Sequence, residues 1–175
     1  MVRFVLVLAI VCIVAALILG GVNDMTKPII AAQKEKETNQ ALKTIMPEAN
    51  KYDKKTFSGG DYYQCYKGKQ VVGYVLSAIG NGYSGDINML VGIDNKGKIT
   101  GIEVLLQTET PGLGARCVEI KHGQKQPWFL AQFKGKSAEA LTLKNIEAIT
   151  GATITSEAIV NGVKKYVTDF LTEIK

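Results

Sequence analysis

The chain is poor in the residues that build metal and nucleophile sites. Among 175 residues there is one histidine, His122, and three cysteines, Cys12, Cys65 and Cys117. No CxxC, HExxH or Cys/His cluster occurs, so a dedicated metal site is not expected. No general acid/base pair and no nucleophile–His constellation is legible, so the chain is not expected to turn over a substrate alone. Internal repeats and low-complexity tracts are absent. Lys and Arg total 21 against 16 Asp and Glu, for a net charge of +5. The lysines stand singly, as at Lys27, Lys34, Lys36 and Lys43, and form no basic stripe interleaved with aromatics. Nucleic acid is therefore not an expected partner. Such a scatter allows only weak attraction to anionic lipid heads or acidic protein partners.

What the chain does have is apolar sequence, at 46% of residues, with 21% charged. Those are the proportions of a folded protein rather than a disordered one. Phe4 to Val22 runs nineteen residues without a charge. A helix of that length reaches ~28 Å, close to the hydrocarbon thickness of a bilayer. A cleaved secretory leader is the rival reading, but the apolar core is long for one and no A-x-A site follows. Arg3 and the terminal amine precede the segment, which predicts a cytoplasmic N-terminus and a domain on the outer side. The expected organisation is a transmembrane anchor at 1–23, a helical stalk at 24–50 and an extracytoplasmic domain at 51–175. Cys12 lies in the anchor as a small apolar residue. An oxidising compartment would permit a Cys65–Cys117 disulfide, and free buried thiols fit the sequence equally.

The stalk is predicted to open a new helix at Thr26 and Pro28 and to end before Pro47. From Asp61 to Gln107 the pattern is that of strands. Tyr62–Tyr66 and Val71–Ala78 read as one hairpin, Ile87–Ile93 and Ile99–Leu106 as a second. Short helices are expected near Ala115–Ile120 and Trp128–Phe133, and a brief strand at Leu141–Leu143. Ile159, Val160, Val163, Val167, Phe170, Leu171 and Ile174 recur at three and four residues, predicting an amphipathic helix over about 156–174. Thr155 or Ser156 is its expected N-cap. The fold class is α+β, an apolar N-terminal helix followed by a mainly antiparallel sheet with flanking helices.

Just before that last helix stands Thr150-Gly151-Ala152-Thr153. Small residues at 151 and 152 let another molecule approach the backbone. Hydroxyls are available at 150, 153, 155 and 156, and the helix start favours an anion. Alone, such a string is most simply a turn and cap. Two further loops, Gly82-Tyr83-Ser84-Gly85 and Glu109-Thr110-Pro111-Gly112-Leu113-Gly114, accompany it.

The three segments, in this order and spacing and behind an N-terminal anchor, resemble the FMN-binding domain family. That family includes the G-type component of the Rnf complex and the C-type component of the sodium-pumping NADH:quinone reductase. The resemblance covers essentially the whole chain, and its compactness is more similar to the Rnf member. It implies that Thr153 carries FMN through a phosphoester installed by a separate flavin transferase. Thr150, Gly151 and Ala152 would surround the attachment. Thr110, Gly112 and Leu113 would line the isoalloxazine, with Glu109 fixing their loop. Tyr83 and Ser84 would contact the flavin, although Tyr83 fits equally as a core aromatic. The family usually has Asp six residues before the acceptor, and Glu147 stands there, keeping the charge. Trp128 is not assigned to the site. The implied function is electron relay within a membrane complex passing electrons from reduced ferredoxin to NAD, coupled to outward ion movement. A quinone-reductase component and a flavin-free, membrane-tethered assembly domain are the alternatives.

Overall fold

The structure is a computed structural model and describes residues 2–121 and 123–174; His122 lies outside them. The chain divides into two compact units, residues 1–39 and 40–175. The first is helical, the beginning of helix α1, Val2–Ile45. The side chains of its apolar run are covered by nothing, with Phe4 81% and Leu17 71% exposed. Among the described residues this is the one helix long and apolar enough to cross a membrane. The predicted helix start at Thr26–Pro28 is not there: α1 continues through Pro28. The hydroxyl of Thr26 folds back onto the carbonyls of Val22 and Asn23, at 3.0 and 3.1 Å, and so takes part in the helix rather than capping a new one.

The second unit is built on a five-stranded antiparallel meander in the order β1-β2-β3-β4-β5. The strands are Lys51–Phe57, Gly60–Lys67, Gln70–Asn81, Asp86–Asp94 and Ile99–Leu106. The two expected hairpins are present, joined edge to edge through β3 and β4. β1 lies outside the predicted strands. No strand forms at Leu141–Leu143, where a 3₁₀ turn at Ala138–Ala140 is followed by further turns. A 3₁₀ turn at Gly114–Val118 and helix α2, Trp128–Ala131, occupy the two short helical segments expected. Helix α3 spans Thr153–Ile174 and starts earlier than predicted. Thr155 and Ser156 therefore lie inside its first turn instead of capping it, and Ser156 N–H already bonds to Ala152 C=O.

Period-two alternation gives the sheet two apolar faces. Ile87, Met89, Val91 and Ile93 of β4 point to one side, where α3 and the 110–150 segment cover them. Leu90 of β4, with Cys65 and Val75, points to the other, against Ala41, Leu42, Ile45 and Met46 at the end of α1. Cys65 and Cys117 fall in these two separate clusters, and both are free thiols. Burial pushes them up to about 12 and about 11, the nearby Glu109 charge adding to the effect at Cys117, so neither is a reactive thiolate at neutral pH.

Two contacts bring helix and sheet backbones together. Gly92 and Gly101 are directly paired on β4 and β5 and form a flat seat beneath Ile45. On the opposite face α3 crosses β3 so closely that a Cβ on Gly162 would stand 2.9 Å from Ile79 O and 3.2 Å from Gly80 Cα. Phe170 completes this face, edge-on to Phe57 and Tyr62 at centroid distances of 5.4 and 4.9 Å. Because these partners are backbone, the crossing cannot yield locally. Gly162→Leu is expected to lower stability by about 1–3 kcal/mol through overpacking, despite a helix propensity better by ~0.8 kcal/mol. Thermal unfolding of the full chain in detergent checks it, and an unchanged midpoint would show that the helix can slide.

Candidate functional site

Three loops converge at the N-terminal end of α3, and each is shaped by a local rule. In the 109–114 loop, Pro111 and Gly112 fill the centre of a turn closed by Leu113 N–H to Thr110 C=O at 3.1 Å. Pro sets its own φ, and Gly112 takes φ +77°, which a turn of this kind requires at its third position. Before α3, Ala152 N–H bonds to Ile149 C=O at 2.9 Å, with Gly151 also at φ +77°. In the 82–85 loop, Gly82 N–H bonds to Gly85 C=O at 3.0 Å.

The three are joined by one carboxylate. Glu109 is 4% exposed. Its Oε1 accepts from Ser84 N–H at 2.8 Å, and its Oε2 accepts from the Thr155 hydroxyl in a short hydrogen bond. Its own N–H is held by Gln107 Oε1 at 2.7 Å. Burial works to raise its pKa, and hydrogen bonds from Thr155 and from the backbone of Ser84 and Tyr83 outweigh that, leaving the carboxyl below its usual range. The carboxylate also explains two glycines. A Cβ on Gly82 would lie 2.5 Å from Oε1, and one on Gly114 2.5 Å from Oε2.

Around this support is an open cavity of about 370 Å³. Small-molecule sites commonly have volumes of about 300–1,000 Å³. Of the residues singled out in the sequence, Tyr83, Glu109, Thr110, Leu113, Gly151, Ala152 and Thr153 line it. Thr150, Gly112 and Ser84 do not, although Ser84 Oγ stands 3.5 Å from Thr110 Oγ1 behind the wall. Tyr83 is 72% exposed and is not a core aromatic. Gly114, Ile154 and Thr155 also line the cavity, beyond the residues the sequence assigned to the site. Ile154 leaves a trace in the sequence, as an apolar residue off the buried stripe of α3, and it is 52% exposed. The cap chemistry of Thr155 conceals its part in the wall.

The four hydroxyls of this stretch are not equivalent. Thr155 is buried and donates to Glu109. Ser156 is fully buried, donating to Ala152 C=O and accepting from Ile149 N–H, both at 2.9 Å. Thr150 is exposed and outside the cavity. Thr153 alone is exposed, lines the cavity and has a hydroxyl without a hydrogen-bond partner among the described residues. It is also the first residue of α3, where unpaired N–H groups and the helix dipole favour an anion. The donor set suits a phosphate on Thr153, and Tyr83, Leu113 and Ile154 offer apolar surface to a planar ring.

Known proteins resemble this chain along most of its length. The family described as FMN-binding domain matches residues 82–168, and that described as RnfG N-terminal region matches residues 1–45. The chain is 35% identical to the G-type component of the proton-translocating ferredoxin:NAD(+) oxidoreductase complex of Clostridium ljungdahlii, over 91% of this chain and 86% of that protein. It is 32% identical to the G-type component of the Na(+)-translocating ferredoxin:NAD(+) oxidoreductase complex of Acetobacterium woodii, over 90% and 86%. Its fold is similar to the C-type component of the Na(+)-translocating NADH-quinone reductase from Parabacteroides distasonis, with a TM-score of 0.51 and 21% identity, over 66% of this chain and 62% of that one.

The electrostatics of Glu109 set an acid limit. A carboxyl whose folded pKa is depressed stabilises the fold above its unfolded value, near ~4.3, and that contribution is lost as pH falls through the folded value. Thermal midpoints should therefore drop on acidification below about pH 4. Glu109→Ala should cost about 1–3 kcal/mol at pH 7, because the buried Thr155 hydroxyl and Ser84 N–H then lose their acceptor. It should also flatten the acid-side slope. A midpoint equal to wild type at pH 7 would mean the carboxylate does not hold the loops.

Proposed function

The chain belongs to the FMN-binding domain family, as an RnfG-type component of ion-translocating oxidoreductase complexes, and from that premise we propose that it relays electrons through FMN bound covalently to Thr153. The observation that carries this reading is the inequality of the hydroxyls. Thr153 is the one that is exposed, faces the cavity and is free of partners among the described residues. Supporting it, Leu113 Cδ2 lies 3.2 Å from where a Cβ on Gly151 would be, so the 109–114 loop packs closely on the backbone just before Thr153.

FMN, when bound, supplies one- and two-electron chemistry, which suits a relay between unlike redox centres. The protein's residues hold, orient and shield. The first turn of α3 stabilises the phosphate charge. Thr110 and the 109–114 backbone border the ring, and Leu113, Ile154 and Tyr83 give it apolar walls. Glu109, at the cavity's edge, fixes the loops through Ser84 and Thr155. Thr150, Gly112 and Ser84 shape the loops around the attachment.

The wider setting follows from the relatives. Within a ferredoxin:NAD oxidoreductase, the chain would pair with the other components of a membrane complex and would catalyse no turnover by itself. Residues 1–23 would anchor it in lipid with the N-terminus cytoplasmic, 24–50 would form the stalk, and 51–175 would carry FMN on the outer face. A flavin transferase would load it. Attachment makes occupancy independent of free FMN, which matters where free cofactor diffuses away.

Co-expressed with a flavin transferase, the full chain should gain the mass of one FMN less water and give a band whose flavin fluorescence survives denaturation. Thr153→Ala should abolish both, and Thr150→Ala should leave both intact. Fluorescence retained in Thr153→Ala would overturn the assignment.

A further inference from the structure

The stretch leading to Thr153 is held by a side chain that the cavity does not use. Glu147 N–H donates to Gln132 Oε1 at 2.7 Å, and Gln132 Nε2 donates to Glu147 C=O at 3.1 Å. The glutamine amide thus pairs with one residue's backbone as a neighbouring strand would, satisfying donor and acceptor together. Its own position is firm. Gln132 closes α2, between Phe129, Leu130 and Phe133, which are 0%, 3% and 0% exposed. Two residues beyond Glu147, Ile149 N–H is held by the buried Ser156 hydroxyl. The segment leading to Thr153 is therefore pinned at residues 147 and 149, while the Glu147 side chain is left exposed.

We propose that Gln132 is a positioning residue for flavin attachment, fixing the backbone at Glu147 so that the Thr153 hydroxyl is presented to the transferring enzyme in one conformation. This rests on the reading of Thr153 as acceptor. The reaction forms a bond between Thr153 Oγ and the phosphorus of the FMN phosphate. It breaks the phosphoanhydride of a flavin dinucleotide donor, releasing the nucleoside monophosphate, while the hydroxyl proton passes to a base of the transferase. No electrons are exchanged. A protein substrate whose competent conformation is only partly populated binds more weakly by that fraction, so the clamp acts on recognition and not on the chemical step.

The test uses the full chain in detergent, made without transferase, then labelled in vitro with transferase and flavin adenine dinucleotide while the chain concentration is varied. Gln132→Met, close in shape but unable to pair with the backbone, should raise KM by about tenfold and leave kcat within about twofold. Gln132→Glu, which still accepts from Glu147 N–H but cannot donate, should fall between, and it carries the test if the Met variant does not fold. Hydrogen exchange at Glu147 should quicken by about tenfold while β3 and β4 amides keep wild-type rates. An unchanged KM in a folded variant, a loss in kcat alone, or a parallel rise in strand exchange would each overturn the proposal. Wild-type chain that takes no flavin would instead remove the acceptor reading itself.

Discussion

A single buried carboxylate, without a cationic partner among the described residues, organises the end of this molecule where the cavity lies. Removing an ionised Glu from water is costly unless hydrogen bonds replace its hydration. Glu109 obtains them from the Thr155 hydroxyl and from Ser84 N–H, which belong to different segments. The charge can be buried only if all three loops are in place, so their positions are coupled through it. The glycines at 82 and 114 follow from the same constraint, since a Cβ at either would occupy space taken by the carboxylate oxygens. Thr155 is consumed by this role, whereas the neighbouring Thr153 hydroxyl is exposed and without a partner among the described residues.

How much of this is legible in the sequence depends on how each element is stabilised. β2 to β5 are readable because a half-buried strand writes its alternation into residues such as Ile87, Met89, Val91 and Ile93. β1 is not, because Lys51, Lys54 and Lys55 interrupt the pattern on an edge strand, where charge guards against pairing with other chains. Pro28 misleads because proline costs a helix one hydrogen bond and some crowding, which a strongly helical context can absorb. The start of α3 is displaced because Thr155 and Ser156 have cap chemistry but spend it on tertiary contacts. Loop residues are identifiable as a set from the three motifs. Their division into cavity wall and support is not, since which loop residues reach the cavity depends on the path of the loop, and a loop has no period to read.

The sheet does separate work on its two sides. One face receives the end of α1 on Gly92 and Gly101, the other receives Gly162 of α3 against Ile79 and Gly80. β3 and β4 belong to both contacts, so the strands that seat the end of α1 also carry the backbone on which α3 lies. The first turn of α3 bears Thr153. That residue is therefore connected to the end of α1 through a few closely packed backbone segments, not through flexible loops.

An exposed cavity is a poor device for retaining a cofactor by affinity, and here it need not be one. If FMN is carried on Thr153, the tether sets its effective concentration at the site, in the millimolar range typical of short linkers, whatever the free supply. Contacts with the ring then serve orientation alone, and burial, which would slow exchange of electrons with a partner, can be given up. That reasoning accounts for a wall built of few residues, several of them solvent-facing, on a support that is deeply buried. On that reading Tyr83, Leu113 and Ile154 can stay open to an approaching redox partner, because the strength of the site lies in the hydrogen bonds of Glu109 and the first turn of α3.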